Sequence, residues 1–562
     1  MEKTTNNSLI NHLEYFYKWE KSDPNREFLK QPKGNSWKTL SYKEAGLEAR
    51  KLVAALRSLG LQKGDHIGLL SKNCYHWIIA DLAMSIGGFV SVPFYASLPK
   101  AQLEEVILKS DIKLLFVGKL DTWEDKSEAL HEKLMVIKFP HYQGNATIPV
   151  GIEWDEIVQK QAPIKESHIP KLDDLWTILF TSGTTGSPKG VMLNYKSIAV
   201  VFKDEKQFNT LGVHFLKEHS FLSFLPLNHV AERIAIEGAA IFTGGSIAFA
   251  ESIDTFIKNL QDVQPTVFFA VPRIWNKFQS GILAKISQKK LNLLLSTPIV
   301  SSLIKKKLKK ALGLSRAEIV LTGAALTPKH LKQWYRKLGI NLREVFGATE
   351  ACGAVTITPL GEISDVGVGK AIPGVEFKID EQSGEVIYKS DQLMVGYYKE
   401  EDKTNEILKD GWYLSGDKGF VDKDGNLNII GRVKDAFKTD KGKYVTPNPI
   451  EAKFSKNDFI EQVCVVGLSI AQPIALINLS ESGVATDKQE ITSTFENLLN
   501  QVNQSLANFE KVSTIVVIEE PWTEDNNLLT PTLKVKRNKI DEKYMNNYSQ
   551  WHQDNCSIVW KN

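Results

Sequence analysis

Residues 181–190 read Thr-Ser-Gly-Thr-Thr-Gly-Ser-Pro-Lys-Gly and lie between an apolar run at 175–180 and a shorter one at 191–193. Apolar runs of this length read as buried strands, so the decamer is pinned to a sheet at both ends and must turn between them. It carries Gly183, Gly186 and Gly190, the hydroxyls of Thr181, Ser182, Thr184 and Thr185, and the cation of Lys189. Glycines admit positive φ and let successive N–H groups converge on an anion, and the hydroxyls add donors to the same concavity. The expected ligand is a phosphate. By composition alone a Gly/Ser/Thr stretch also fits a surface linker, and the flanking runs favour the loop reading. The pattern is not G-x-x-x-x-G-K-[ST], because Lys189 follows Pro188 and precedes Gly190.

A chain of 562 residues exceeds one ordinary core and implies several compact lobes. Over 36–97, helix and strand signals alternate. Ser41 and Glu44 form a capping box, Ala45, Leu52, Val53, Leu56 and Leu59 follow at helical spacing, and Gly60 is a stop. A short apolar run at 67–70, a helical stretch at 75–86, a Gly87-Gly88 break and a strand at 89–93 come next. Alternation of this kind predicts a largely parallel, doubly wound sheet. Buried-strand candidates at 221–227, 246–250 and 267–271 predict a second α/β unit, with the phosphate loop at the edge of that second sheet. Between 361 and 431 short β runs are punctuated by Gly and Asp, with Asp424-Gly425 as a hairpin signal, which predicts a small antiparallel or barrel-like lobe. Beyond Arg432, strands at 462–466, 474–478 and 514–518 and a helix at 488–506 predict a separate α+β domain.

Composition excludes several function classes. The 69 basic and 66 acidic residues leave a net charge of +3, so no global field recruits nucleic acid. Cys74, Cys352, Cys464 and Cys556 form no CxxC pair, which argues against a disulfide framework or thiolate metal site and suits a reducing cytoplasm. The N-terminus shows no signal-peptide pattern, and the apolar window at 291–304 is too short for a bilayer and contains Pro298. Residues 303–312, LIKKKLKKAL, read as a basic amphipathic helix. A solvated face is its commoner explanation, and peripheral contact with anionic lipid at the inner membrane face is the alternative.

At the phosphate loop the chain resembles the adenylate-forming superfamily of acyl-CoA synthetases, synthetase adenylation domains and luciferases, where such a loop holds ATP phosphates. Further stretches resemble that family in its own order from about 41 to 537. The Thr322-Gly-Ala-Ala-Leu326 segment resembles its adenine-contacting loop, which implicates Gly323 and Ala324. In Phe346-Gly-Ala-Thr-Glu350 the resemblance makes Phe346 and Gly347 nucleotide contacts, Thr349 an α-phosphate contact and Glu350 the ligand of Mg²⁺, a hard cation suited to oxygen donors. Phe346 stands where the family usually has Tyr. By the same resemblance Asp417 accepts the ribose hydroxyls, assisted by Arg432, and Lys434 is the hinge. Pro531-Thr-Leu-Lys-Val-Lys-Arg537 looks like the last family motif, in the form seen in long-chain fatty-acyl ligases, and makes Lys534 the catalytic lysine. Leu533 stands where the family often has Gly. His229, in FLPLNHVAER over 224–233, would border the acyl tunnel, and Lys438 and Gly442 would serve the thioester step, where many members have Gly-Gly instead of Lys441-Gly442.

The resemblance implies an α/β fold: a large N-terminal adenylation domain, 1–432, of two doubly wound sheets plus a small β-barrel-like lobe, and a mobile α+β domain, 433–562. It implies a long-chain acyl-CoA synthetase using ATP, Mg²⁺ and coenzyme A. Two alternatives stand beside it: an acyl-adenylate-forming enzyme that serves a carrier protein, and an inactive nucleotide- or lipid-binding homologue.

Overall fold

The computed structural model describes residues 9–166, 168–181, 187–203, 209–440, 443–468, 470–530, 533–554 and 556–561. Its first sheet has eight strands in the order Gly396–Tyr397, Lys189–Asn194, Leu175–Thr181, Val90–Phe94, His66–Leu70, Leu114–Val117, Met135–Lys138 and Ile152–Glu153. From Leu175–Thr181 to Ile152–Glu153 neighbours run parallel, and the two strands at the other end are antiparallel. Val90–Phe94 is buried at every residue, as a parallel strand covered on both faces must be.

The second sheet has nine strands: Lys370–Ala371, Gly353–Ile357, Arg343–Ala348, Ile319–Gly323, Val267–Ala270, Ser220–Ser223, Ser246–Phe249, Glu27–Lys33 and Ser36–Ser41. Its middle is parallel and its ends are antiparallel. The two sheets are thus interleaved along the chain. The hairpin 27–41, first in order, closes the second sheet, and the strands flanking the phosphate loop belong to the first sheet, which corrects the expected placement. The local pattern reports that Leu175–Thr181 is buried on both faces, but only packing selects Val90–Phe94 as its parallel neighbour.

Local signals explain the helices. Ser41 accepts from the Glu44 N–H while the Glu44 carboxylate accepts from the Ser41 N–H, starting helix Tyr42–Ser58, and Gly60 leaves it at φ +92°. Helix Tyr75–Gly87 ends at Gly88 with φ +74° and is buried all round, because it packs against strands of both sheets.

A buried ion cluster fastens these layers. Arg233, on the π-helical turn Arg233–Gly238, donates to Asp81 at 2.6 Å, to Thr177 at 3.2 Å and to Ser91 at 3.4 Å, and lies 4.3 Å from the Trp176 ring centroid. Glu237 lies 3.4 Å from the same guanidinium, and burial and the neighbouring Asp81 hold its carboxyl well above the usual range.

The small lobe is a five-stranded antiparallel sheet built from Val375–Ile379, Glu385–Ser390, Leu408–Lys409, Trp412–Val421 and Leu427–Arg432. The Asp-Gly turn closes its last hairpin: Gly425 sits at φ +81°, and Asp422 accepts from the N–H groups of Asp424 and Asn426. The C-terminal sheet orders Ile460–Val466, Ile474–Leu479, Thr514–Ile518 and Ile558–Lys561. Alternate residues of its first strand feed separate cores, Val463 and Val465 one, Cys464 and Val466 the other. Among the described residues no helix is long and apolar enough to cross a membrane, and no disulfide forms.

Candidate nucleotide and acid site

Parallel neighbours Ile319–Gly323 and Arg343–Ala348 end side by side, and Ser220–Ser223 ends in the same direction within the same sheet. The segments leading from them carry Gly323-Ala324, Phe346–Glu350 and His229, so three distant motifs share the carboxyl edge of one parallel sheet, where such sheets bind ligands. Two of the glycines have structural duties. A Cβ at Gly323 would meet the Val345 carbonyl at 2.5 Å, and one at Gly347 would lie 1.8 Å from the Gly353 carbonyl oxygen. Ala324 takes φ +62° without being glycine. Phe346 is half-buried against the main core, and Thr349 opens the short turn Thr349–Ala351 that presents Glu350.

The phosphate-loop hairpin pairs Thr181 with Lys189 in register, and the Thr181 hydroxyl approaches the Lys189 carbonyl at 3.5 Å. Ser182, Gly183, Thr184, Thr185 and Gly186 lie outside the described residues. Lys189 points its ammonium at the Tyr397 ring, 5.0 Å from the centroid. Burial weakens its hold on the proton, and Glu350 opposes that. Tyr397 in turn donates its hydroxyl to Glu350 at 2.7 Å. A continuous path therefore links the loop cation to the acid of the Phe346–Glu350 segment. Tyr397 was not legible in the sequence: it sits in a two-residue strand, 47 residues from Glu350, with no periodicity to mark it.

Asp417 and Arg432 are cross-strand partners in the small lobe, Nε to Oδ1 3.0 Å, and the guanidinium also donates to the Ser415 carbonyl at 3.0 Å. Burial pushes the Asp417 carboxyl up to about 6, against the opposing charges of Arg432 and Lys534. His229 caps the short helix Val230–Glu232, its Nδ1 accepting the Ala231 N–H at 3.1 Å. Burial lowers it to about 4, with Lys534 adding to the effect, so near neutral pH the ring is uncharged and carries its proton on Nε2.

Lys534 comes from the C-terminal domain. Its N–H donates to the Thr530 hydroxyl at 3.0 Å, and the preceding Leu533 takes φ +60°. The residue is exposed and its ammonium lies within electrostatic reach of Asp417, Arg432 and His229; desolvation and then Arg432 lower its proton affinity, and Asp417 opposes them. Lys438, in contrast, is exposed and lies 5.8 Å from the Tyr444 ring centroid, away from this group. Lys434 is exposed at the chain crossing, where its charge reaches Lys189, and Gly442 lies outside the described residues. Arg537 of the last motif is engaged elsewhere, donating to Glu451 at 2.5 Å and to the Val465 carbonyl at 2.6 Å. Among the described residues no group of three or more His, Cys, Asp or Glu could hold a metal. A divalent ion at Glu350 would therefore rely on that carboxylate and on phosphate oxygens, a donor set that fits Mg²⁺.

Two mixed sheets with a polar edge, a hydroxyl- and glycine-rich hairpin, and a second domain that lends a lysine to that edge define the class of two-domain adenylate-forming ligases. The chain belongs to the AMP-binding enzyme family: the model of that family matches residues 16–398, and that of the AMP-binding enzyme C-terminal domain matches 434–554. It is 30% identical to fatty acyl-CoA synthetase A of Dictyostelium discoideum, over 92% of this chain and 86% of that one. It is 29% identical to long chain acyl-CoA synthetase 2 of Arabidopsis thaliana, over 94% of this chain and 90% of that one. In fold it is similar to the adenylation domain of a carboxylate reductase from Mycobacterium chelonae, with TM-score 0.82, 20% identity, and coverage of 97% of this chain and 91% of that one.

Proposed function

We propose that the protein joins a long-chain fatty acid to coenzyme A through an acyl-AMP intermediate, releasing pyrophosphate and then AMP. The observation that carries the adenylating half is the Lys534 ammonium within electrostatic reach of the paired Asp417 and Arg432 and of His229, an arrangement suited to charge developing at an α-phosphate. The fatty-acid class is supported by the names of the relatives and by the 531–537 wording.

In this reading the loop of Thr181, Ser182, Gly183, Thr184, Thr185, Gly186 and Lys189 cradles the phosphates. Gly323, Ala324, Phe346 and Gly347 hold the adenine, and Asp417 with Arg432 holds the ribose. Glu350, oriented by Tyr397, would hold Mg²⁺, which neutralises phosphate charge when bound. Neutral His229 borders the acid and adds no charge that would compete for its carboxylate. In the first step a carboxylate oxygen bonds the α-phosphorus and the bond to the bridging oxygen of pyrophosphate breaks, with Thr349 and Lys534 meeting the extra charge. In the second, residues 433–562 turn about Lys434, withdraw Lys534 and bring the Lys438 and Gly442 face inward. The coenzyme A thiolate then bonds the acyl carbon, and the bond to AMP breaks.

The test is formation of AMP and acyl-CoA from ATP, coenzyme A and acids ranging from acetate to long chains, with benzoate included. A maximum among long chains is expected. AMP without thioester would move the acceptor to a carrier protein, and a maximum at benzoate would remove the fatty-acid assignment.

A further inference from the structure

Helices Gln288–Ser296 and Pro298–Ala311 pack on each other and meet at Thr297. Between 288 and 311 they carry seven lysines, at 289, 290, 305, 306, 307, 309 and 310, and no acidic residue, in a chain whose charges otherwise nearly cancel. Ion pairs nearby engage Arg273 with Glu461 and Arg316 with Glu218, and none of the seven lysines is paired among the described residues. Lys309 is eased toward its neutral form by burial and by the neighbouring Lys305.

The amphipathic stripe visible in the sequence is spent inside the protein. Ile304 and Leu308 pack on the core formed by Leu291, Leu312, Trp275 and Trp334. A second apolar set faces outward instead: Leu293 is 71% exposed, Ile299 79% and Leu303 65%. Ile299, Leu303, Lys306 or Lys307, and Lys310 recur every three or four residues and share one face of the second helix. That face is apolar next to the helix–helix corner and cationic toward the far end. Protruding aliphatic chains beside unpaired lysines form an amphipathic surface with no use in water.

We propose that this helix pair is a docking face for an anionic lipid bilayer, with Leu293, Ile299 and Leu303 entering the acyl boundary and the lysines meeting headgroup phosphates. Charge complementarity selects the occupant: the exposed lysines at 289, 290, 306, 307 and 310, without a fixed set of acceptors, suit a fluid sheet of phosphates better than one folded acidic partner. The inference stands on the surface itself and does not depend on which acid the enzyme activates.

Co-sedimentation of the full chain with phosphatidylcholine vesicles, with and without about 30 mol% phosphatidylglycerol, tests it. Anionic vesicles should capture the protein and neutral ones should not. K306E/K307E/K310E should weaken capture at least roughly tenfold, and Ile299→Ser with Leu303→Ser should make the remaining capture disappear at about 0.15 M salt. Thermal melting and ATP–pyrophosphate exchange of each variant should match the parent. K306Q/K307Q/K310Q gives an intermediate loss and replaces the reversal variant if that one does not fold. Equal binding to both vesicles, binding to neither, or unchanged capture by the lysine variants would overturn the proposal. Retention on immobilised polyglutamate without vesicle capture would reassign the face to an acidic protein.

Discussion

Asp417 and Arg432 face each other across antiparallel strands with 3.0 Å between Oδ1 and Nε, yet burial still lifts the Asp417 carboxyl to about 6. The proposed ribose contact needs the ionised form, so kcat/KM for ATP should fall as pH drops through about 6. The sign for folding is opposite. The folded value lies above the ordinary 3.8, so the protonated group favours the fold at low pH and that contribution is lost as pH rises through about 6. Asp417→Asn should abolish the kinetic inflection and weaken nucleotide binding roughly ten- to a hundredfold. An unchanged inflection in the variant would assign it to another group.

Lys534→Ala should slow acyl-AMP formation by about two to three orders of magnitude. Thioester formation from supplied acyl-AMP should change far less, since the proposed second step withdraws Lys534 from the site. Pyrophosphate exchange and single turnover of acyl-AMP with coenzyme A separate the two, and equal losses would remove the assigned role.

Tyr397→Phe deletes the donor that orients Glu350 and keeps the ring under Lys189. A hydrogen bond to a charged group contributes about 1.5–3 kcal/mol, so the Mg²⁺ concentration for half-maximal rate should rise roughly tenfold or more. A Mg²⁺ titration superimposing on that of the parent would show that Glu350 needs no orientation from Tyr397.

Arg233→Met strands Asp81 and Glu237 as buried carboxylates without their cation. Removing one partner of such a cluster typically costs about 3–5 kcal/mol. Glu237, held above its ordinary range, destabilises the fold as pH rises and it ionises, so the deficit should be larger at about pH 8 than at about pH 5.5. Urea unfolding at both values measures it; a pH-independent deficit would mean that lost packing, not stranded charge, is the cause.

Much of the fold was legible because it is local. The Ser41–Glu44 box, the stops at Gly60 and Gly88, and the Asp424-Gly425 turn each depend on groups a few residues apart, whose hydrogen bonds and φ preferences act wherever the segment lies. The motif at 346–350 was read through its resemblance to a family, and its members lie at the end of the strand Arg343–Ala348 and in the turn that follows. Tyr397 was not, because its importance lies in a contact with Glu350 that no local preference encodes.

The amino-acid sequence by itself determined the strands, helices, caps and turns, and the order in which the motifs arrive, because these follow from periodicity and backbone chemistry over short spans. Tertiary structure alone decided that the phosphate-loop hairpin joins the first sheet, that Lys534 of the second domain comes within electrostatic reach of Asp417 and Arg432, and that Ile304 turns inward while Ile299 turns outward. Those choices are made by burial and by electrostatic contacts between distant segments, and such energies exist only once the layers have packed.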